Sequence, residues 1–451
     1  MSKDGVQYAG EYQLDELRIM SPNGKLTDLK TDMQIVEINL FESIFKNSIT
    51  GSVIVVDIEN YIAKLPIIGQ ESMTLKLATP SLKAREDIID FTQTPLFVHK
   101  VNLRTEIANG AQTYEIQFVS PELILNNRKK ISKSYVKTKA NIGEMVKDVL
   151  KDSDDGIQTN KKIFLESTIG TRKVVVPNTN PFTLISRLAK EAISGSGSPH
   201  YLFFENTKGY HFRTIQQLFN QPMRSEFNVG EEGLGEKLLQ VDPSDKTPQT
   251  MTPESFKRAI AYSLNIKKDL MMNATNGMIG GKVIEHNIFS KKLKTKTFNY
   301  LGGEFEESPR IDGNRVYSQD VFGPMTKKLE DEITNANISF VPISKKGEVD
   351  KSFESGTPNA RYKTLLNRQS RMLELLNGIS INMTVHGQTL LSAGDMVDVT
   401  IPPLGGNDDA DTEKFYSGMY MIKTLRHTFD QATRTHVCDM EMVKDGFADA
   451  I

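Results

Sequence analysis

The chain predicts a strand-rich α+β fold, and three features of its 451 residues predict it. Short β-branched or alternating apolar runs fill the first 121 positions. Between 122 and 228 the apolar spacing lengthens to that of helices. Alternation returns after Gly378 and holds to Val443. Alternation puts one face of a strand in a core and the other in water, whereas spacings of three and four draw a stripe along a helix.

The stretch from Asn39 to Pro80 sets the pattern. Val53 to Val56 is a buried-strand signal that Asp57 stops; Leu65-Pro66 and Gly69 bend the chain, and Met73 to Leu77 alternate. Phe97 to Leu103 and Tyr114 to Phe118 alternate around Asn109-Gly110, which predicts a hairpin. A helix is expected near Tyr61 or over Ser81 to Asp90, and Ser120-Pro121 closes the region.

Asn141 then caps a helix striped by Ile142, Met145, Val146, Val149 and Leu150, with Glu144 placed as in a capping box. Asn180-Pro181 opens a second, striped by Phe182, Leu184, Ile185, Leu188 and Ala192 and ended by Gly195. Strands follow at Tyr201 to Phe204 and Tyr210 to Arg213, making 122–228 an α/β domain. Residues 229–256 read as a linker, with a helix-start signal at Thr252-Pro253-Glu254. β-like sequence resumes at Lys282 to Tyr300, and a polar, turn-rich stretch runs to Pro358. A helix is expected from Ala360 to Asn377 with Gly378 as its C-cap. Ile379, Ile381, Met383 and Val385 alternate; a strand follows at Met396 to Ile401, the acidic loop Gly405 to Glu413 leads to the run Tyr416 to Ile422, and the last strand, His436 to Val443, puts Cys438, Met440 and Met442 on one face. A weak internal repeat is visible: Gly69-Gln70 precedes a strand ending at Thr79-Pro80, and Gly394-Asp395 precedes one ending at Ile401-Pro402.

Composition narrows the function. A net charge of −2 argues against a nucleic-acid binder that relies on neutralising phosphates. Cys438 stands alone, which argues against a disulfide framework and a cysteine-based zinc site and fits a reducing compartment. No apolar run approaches the ~20 residues needed to span a membrane, and the polar N-terminus lacks a signal-like apolar core.

The search for chemistry is negative. None of the seven histidines pairs with another at helical metal-ligand spacing, so no metal or cofactor is expected. Gly277 to Lys282 lacks the residues of a phosphate loop and reads as a turn. Asp408, Asp409, Asp411 and Glu413 lack calcium-loop spacing and read as a solvated loop. The basic run Lys291 to Lys296 reads as a protected strand edge. Phe41 and Phe45, four apart, read as core, with contact to a neighbouring subunit as the alternative. With no catalytic constellation, a structural protein is expected rather than an enzyme.

The run Asn39 to Pro80, with Ile49-Thr50-Gly51-Ser52-Val53 and Leu65 to Glu71, resembles the baseplate central hub proteins of contractile-tailed phages of the T-even type. Pro177 to Phe182, Gly387 to Val399 with Ala393-Gly394-Asp395, and Ser417 to Ile422 with His427 and Phe429 carry the resemblance onward in the family's order. It implies two antiparallel β-barrels like tail-tube subunits, one over 1–121 and one assembled from 257–302 and 376–451, with 303–375 inserted between the halves. It also implies a homotrimeric ring of six similar barrels that joins a three-fold central spike to a six-fold tail tube and lets DNA pass. Partners would be the spike, tube or tube-initiator proteins, and the tape-measure and baseplate wedge proteins. The place would be the virion's tail baseplate, assembled in the host cytoplasm. On this reading Phe41, Phe45, Gly51, Asp57, Gly69, Gly394, Asp395 and Gly418 serve structure and assembly. Alternatives are the hub of a bacterial contractile injection system or tailocin, a peptidoglycan-degrading tail enzyme, and a carbohydrate-binding β protein, the last disfavoured by the absence of Trp.

Overall fold

The computed structural model describes residues 8–61, 67–80, 87–108, 110–135, 141–152, 154–171, 174–229, 256–266, 269–288, 291–300, 310–314, 337–343, 363–402, 413 and 415–447. The expected linker, most of the insertion, the start of the helix expected at Ala360, the acidic loop up to 412 and most of the helix expected over Ser81 to Asp90 lie outside these residues.

The first unit comprises β1 (Gln13–Met20), β2 (Leu26–Asp28), β3 (Gln34–Ser43), β4 (Thr50–Asp57), β5 (Ser72–Ala78), the short β6 (Ile89–Asp90), β7 (Leu96–Ala108) and β8 (Ala111–Val119). Their order in the sheet is β3-β4-β8-β7-β5-β1-β2, every pair antiparallel, with β6 added to β5. β7 and β8 pair down to Ala108 opposite Ala111, so the predicted hairpin forms. Val53 sits opposite Ile38 on one side and Ile116 on the other, and all three are fully buried. Leu17, Leu75 and Val98 from the remaining strands join the same core. Among the described residues no helix layer covers that face beyond Leu29 and Met33, so the sheet buries it by rolling on itself.

The middle unit holds β9 (Ile131–Tyr135), β10 (Ile163–Leu165), β11 (Val174–Thr179), β12 (Tyr201–Asn206) and β13 (Gly209–Thr214) with helices Ile142–Lys151 and Pro181–Glu191. The Asn141 side chain caps the first helix by accepting from the Gly143 N–H, as its position predicts. Asn180 makes no such bond; Asn126, distant in sequence, accepts from the Phe182 N–H instead. The helix stripes meet Tyr201, Phe203, Tyr210 and Phe212 in one core.

The second rolled unit combines β14 (Met223–Asn228) and β15 (Ala259–Ile266) with strands from the C-terminal part. Between these come β16 (Gly280–Asn287), β17 (Lys292–Asn299) and β18 (Ile338–Ile343), which form a separate three-stranded sheet in the order β17-β16-β18. The helix Arg368–Asn377 follows, then β19 (Ile379–His386), β20 (Met396–Thr400), β21 (Gly418–Asp430) and β22 (Thr435–Lys444). Gly378 has φ −79° rather than the left-handed conformation of a C-cap glycine; a Cβ there would meet the Glu374 carbonyl oxygen at 2.3 Å. Ile379, Ile381, Met383, Val385, Cys438, Met440 and Met442 all face one core.

Two observations move residues between units. β14 pairs in parallel with β20, and its last residue bridges to Arg258 beside β15, so 223–228 belongs to the second rolled sheet and not to the middle unit. β16 and β17, from the 257–302 segment assigned to the second barrel, pair with each other and with β18 from the insertion. Both pairings join segments far apart in sequence.

The two rolled units repeat one topology. The order β15-β19-β22-β21-β20 matches β3-β4-β8-β7-β5, and every neighbour is antiparallel in both. The details repeat too. β7 leaves β5 at a bulge between Val98 and Lys100, and β21 leaves β20 at a bulge between Ile422 and Thr424. The Val98 N–H donates to the Glu71 carbonyl at 2.8 Å, and the Ile422 N–H donates to the Asp395 carbonyl at 2.9 Å. The repeat therefore equates Glu71 with Asp395, which sets Gly69 and Gly394 one position out of register.

Candidate functional site

The features that stand out are a seam, two open sheet edges and a buried joint. The first is the seam. Beyond its bulge, β21 pairs with β3, Thr424 opposite Ser43 through Asp430 opposite Glu37, and this fuses the two rolled units into one continuous sheet. By the repeat, the partner relation is the first strand of one unit (β3) against the fourth strand of the other (β21). The same relation has a second pair of members, β15 and the distal part of β7. Among the described residues both present an open edge. β15 pairs only with β19 apart from the bridge at Arg258, and β7 beyond Phe97 pairs only with β8. Ile260 and Tyr262 on β15 are partly exposed, and Leu103 and Ile107 on β7 are mostly so. Long edges with exposed apolar side chains are templates for pairing with another chain.

The second surface is a buried joint where three units meet. Glu42 at the end of β3 accepts the Thr207 N–H at 2.9 Å and the Ala393 N–H at 2.8 Å. Thr207 lies on the β12–β13 turn, and Ala393 precedes β20. Around this carboxylate the Asn206 amide donates to the Ala393 carbonyl at 3.0 Å, and Lys208 grips both oxygens of Asp395 at 2.7 and 2.9 Å. Burial raises the Glu42 pKa to about 7, against the opposing pull of the two N–H groups and Lys208. A carboxyl whose folded pKa exceeds its unfolded value makes the fold lose stability as pH rises between the two. Wild-type stability is therefore expected to fall between about pH 4.5 and 7 relative to Glu42→Gln. Glu42→Ala, which strands two buried N–H groups, is expected to cost about 2 kcal/mol. Urea titrations of the three proteins at pH 5 and pH 8 measure both effects.

A second buried cluster fixes the middle unit to the first. Lys161 reaches Glu122 at 2.8 Å and also contacts Glu205. Glu205 in turn accepts the Ile49 N–H at 3.0 Å and the Ser120 hydroxyl at 2.9 Å. Beside the joint opens a cleft of about 1220 Å³ whose wall mixes Lys147, Lys151, Lys162 and Arg213 with Glu144 and Asp90.

The residues singled out by sequence fall as follows. Gly51 faces the core, where a Cβ would stand 2.3 Å from the Phe118 ring. Asp57 is buried and accepts from the Tyr61 N–H and the Tyr114 hydroxyl. Gly69 has φ +84°, and its N–H, with those of Ile68 and Gln70, binds the buried Glu71 carboxylate. Gly394 has φ +91° against the Phe204 ring, and Asp395 is the partner of Lys208. Gly418, φ +115°, starts β21. Phe41 and Phe45 are partly exposed, contrary to the core reading; the Arg426 guanidinium lies 5.7 Å over the Phe41 ring, so Phe41 sits on the seam. The structure gathers Gly394, Asp395 and the unpredicted Glu42 at the joint and leaves the others apart. Glu42 carries no local signal, because its partners are 165 and 351 residues away.

No known family and no curated protein sequence matches the chain. Solved structures do. A tail protein from Neisseria meningitidis matches with a TM-score of 0.52 at 8% identity, over 98% of this chain and 100% of that one. This chain has the fold of a tail protein. The 43 kDa tail protein of prophage MuSo2 from Shewanella oneidensis matches with a TM-score of 0.49 at 10% identity, over 96% of this chain and 100% of its own. A type VI secretion component of E. coli, described as similar to phage T4 tail proteins, matches with a TM-score of 0.42 at 11% identity, over 95% of this chain and 76% of its own. At these identities the likeness concerns fold alone. No helix among the described residues is long and apolar enough to cross a membrane.

Proposed function

We propose that this chain is the structural, non-catalytic hub of a contractile phage tail: a homotrimeric ring that joins a three-fold central spike to a six-fold tail tube and lets DNA pass. The observation that carries the reading is the duplicated sheet with one seam made and its counterpart left open. Within a chain the first strand of one unit pairs with the fourth strand of the other. Repeating that pairing between chains sets β15 of one copy against the distal part of β7 of the next. Three copies then present six similar barrels, which suits a six-fold tube above and a three-fold spike below. Tube or tube-initiator, tape-measure and baseplate wedge proteins are the further partners of such a ring. A net charge of −2 suits a channel that DNA crosses without binding.

Each contact of this kind should bury on the order of 2,000 Å². Light scattering of the chain, alone and with its spike, is expected to show a trimer, and a monomer under both conditions sinks the ring. Tyr262→Asp and Ile107→Asp, which place charge on exposed side chains of the two opposing edges, are expected to shift trimer to monomer. Their unfolding midpoints should stay within about 0.5 kcal/mol of wild type, because both sites lie on the surface.

A further inference from the structure

We propose that His427, His436 and Cys438 form a three-ligand site for a thiolate-binding d10 cation, Zn²⁺ or Cu⁺, at the junction of the two rolled units. β21 and β22 pair so that His427 lies directly opposite Cys438, and His436 lies two residues before Cys438 on the same strand. Alternate residues of a strand share a face, so all three side chains converge on one point inside the sheet. The His427 Nδ1 and His436 Nε2 atoms are 3.0 Å apart. The Cys438 Sγ lies 3.3 Å from the first and 3.5 Å from the second. A tetrahedral or trigonal ion with bonds of about 2.0 Å to nitrogen and about 2.3 Å to sulfur requires separations of roughly 3.3–3.5 Å between nitrogens and roughly 3.5–3.7 Å between nitrogen and sulfur. The triangle thus needs to open by only a few tenths of an ångström.

The surroundings are shaped for these groups. All three residues are fully buried. The outer nitrogen of His436, Nδ1, finds no hydrogen-bond partner among the described residues, whereas the Leu391 backbone bonds the His427 ring, the kind of outer partner that orients a ligating imidazole. A Cβ on Gly387 would stand 2.2 Å from the His436 ring, so only glycine leaves space for the imidazole. Phe429 stacks on the other side of that ring at 4.0 Å. Phe429 belongs to the core of the first unit and Cys438 to that of the second, so an ion here would tie together two cores that no disulfide links.

The cation binds two neutral imidazoles and displaces the thiol proton: the S–H bond breaks, the metal–sulfur bond forms and one proton leaves to solvent. The two cations differ in the charge left behind, +1 for Zn²⁺ and zero for Cu⁺. The plain alternative is a neutral hydrogen-bonded triad.

The full chain is expressed with added zinc and, separately, with added copper under reducing conditions, and metal content is measured by mass spectrometry. About one ion per chain is expected in one of the two preparations, which also identifies the ion. Refolding metal-stripped protein with Co²⁺ should give a thiolate-to-cobalt absorption band. Cys438→Ser should lower metal content at least tenfold and abolish the band. Wild-type protein that carries less than about a tenth of an ion in both preparations and shows no cobalt band overturns the proposal. So does a Cys438→Ser protein that keeps its ion. The wild-type measurements stand even if the variant fails to fold.

Discussion

Replacing Lys161 with methionine is expected to destabilise the chain by about 3–5 kcal/mol, because it removes one partner from a buried charge cluster and leaves the others in place. Lys161 is nearly fully buried between Glu122 and Glu205. Burial alone would push its ammonium down, but the fields of Glu205 and then Glu122 reverse this, and its pKa is raised. Burial raises Glu205 in turn, and Lys161 pulls it back. Without the ammonium that pull disappears. The folded-state pKa of Glu205 then climbs further above its unfolded value, and the variant loses stability as pH rises through the widened window. The deficit against wild type should accordingly be smaller at pH 5 than at pH 8. Glu205→Gln added to Lys161→Met should recover part of the loss at pH 8, because the buried charge left behind is then smaller. Urea midpoints of the three proteins at both pH values test the account; an equal deficit at pH 5 and pH 8 would show that packing, not charge, governs the site.

The parts of the fold legible in the sequence are those set by neighbours along the chain. β4, β5 and β8 alternate because each has one buried and one wetter face, and Ala108 pairs with Ala111 because a two-residue turn leaves no other register. Asn141 caps its helix from two residues away. What stayed hidden depends on register between distant strands. β14 follows the middle unit in sequence yet pairs with β20, and Phe41 meets Arg426 across the seam. The repeat is visible through Gly69 and Gly394, but the equivalent atoms are the Glu71 and Asp395 carbonyls, two positions after the first glycine and one after the second. The resemblance concerned the same stretches, and it is their strand order that the two units share.

The convergence of His427, His436 and Cys438 escaped for the same reason. Ligands on one helix have a fixed spacing, whereas ligands across a hairpin are set by its register. Once β21 and β22 are aligned, the spacing is plain: a histidine opposite the cysteine and another two residues before it.

Gly51→Val is expected to cost more than about 3 kcal/mol and to depress soluble yield, because the obstacle at Gly51 is partly backbone. Gly51 lies on the core face of β4 opposite Phe118, between Asn39 and the Phe118 ring. An added Cβ would stand 2.3 Å from the ring and 2.4 Å from the Asn39 carbonyl oxygen. The ring can turn aside, but the oxygen belongs to β3, which is pinned by β4 on one side and β21 on the other. Shifting β3 would therefore disturb the seam as well as the core. Adding Phe118→Ala to Gly51→Ala should recover little, since it clears only the ring. Gly69 is a useful contrast. Its φ of +84° strains any other residue, but the nearest atom to a Cβ is the His99 carbonyl oxygen at 3.1 Å. Gly69→Ala should thus cost only about 1–2 kcal/mol, the left-handed penalty. Urea midpoints and soluble yields of the single and double variants compare the two sites. A Gly51→Val protein as stable as Gly69→Ala would mean that β3 can move and that the seam is softer than its pairing indicates.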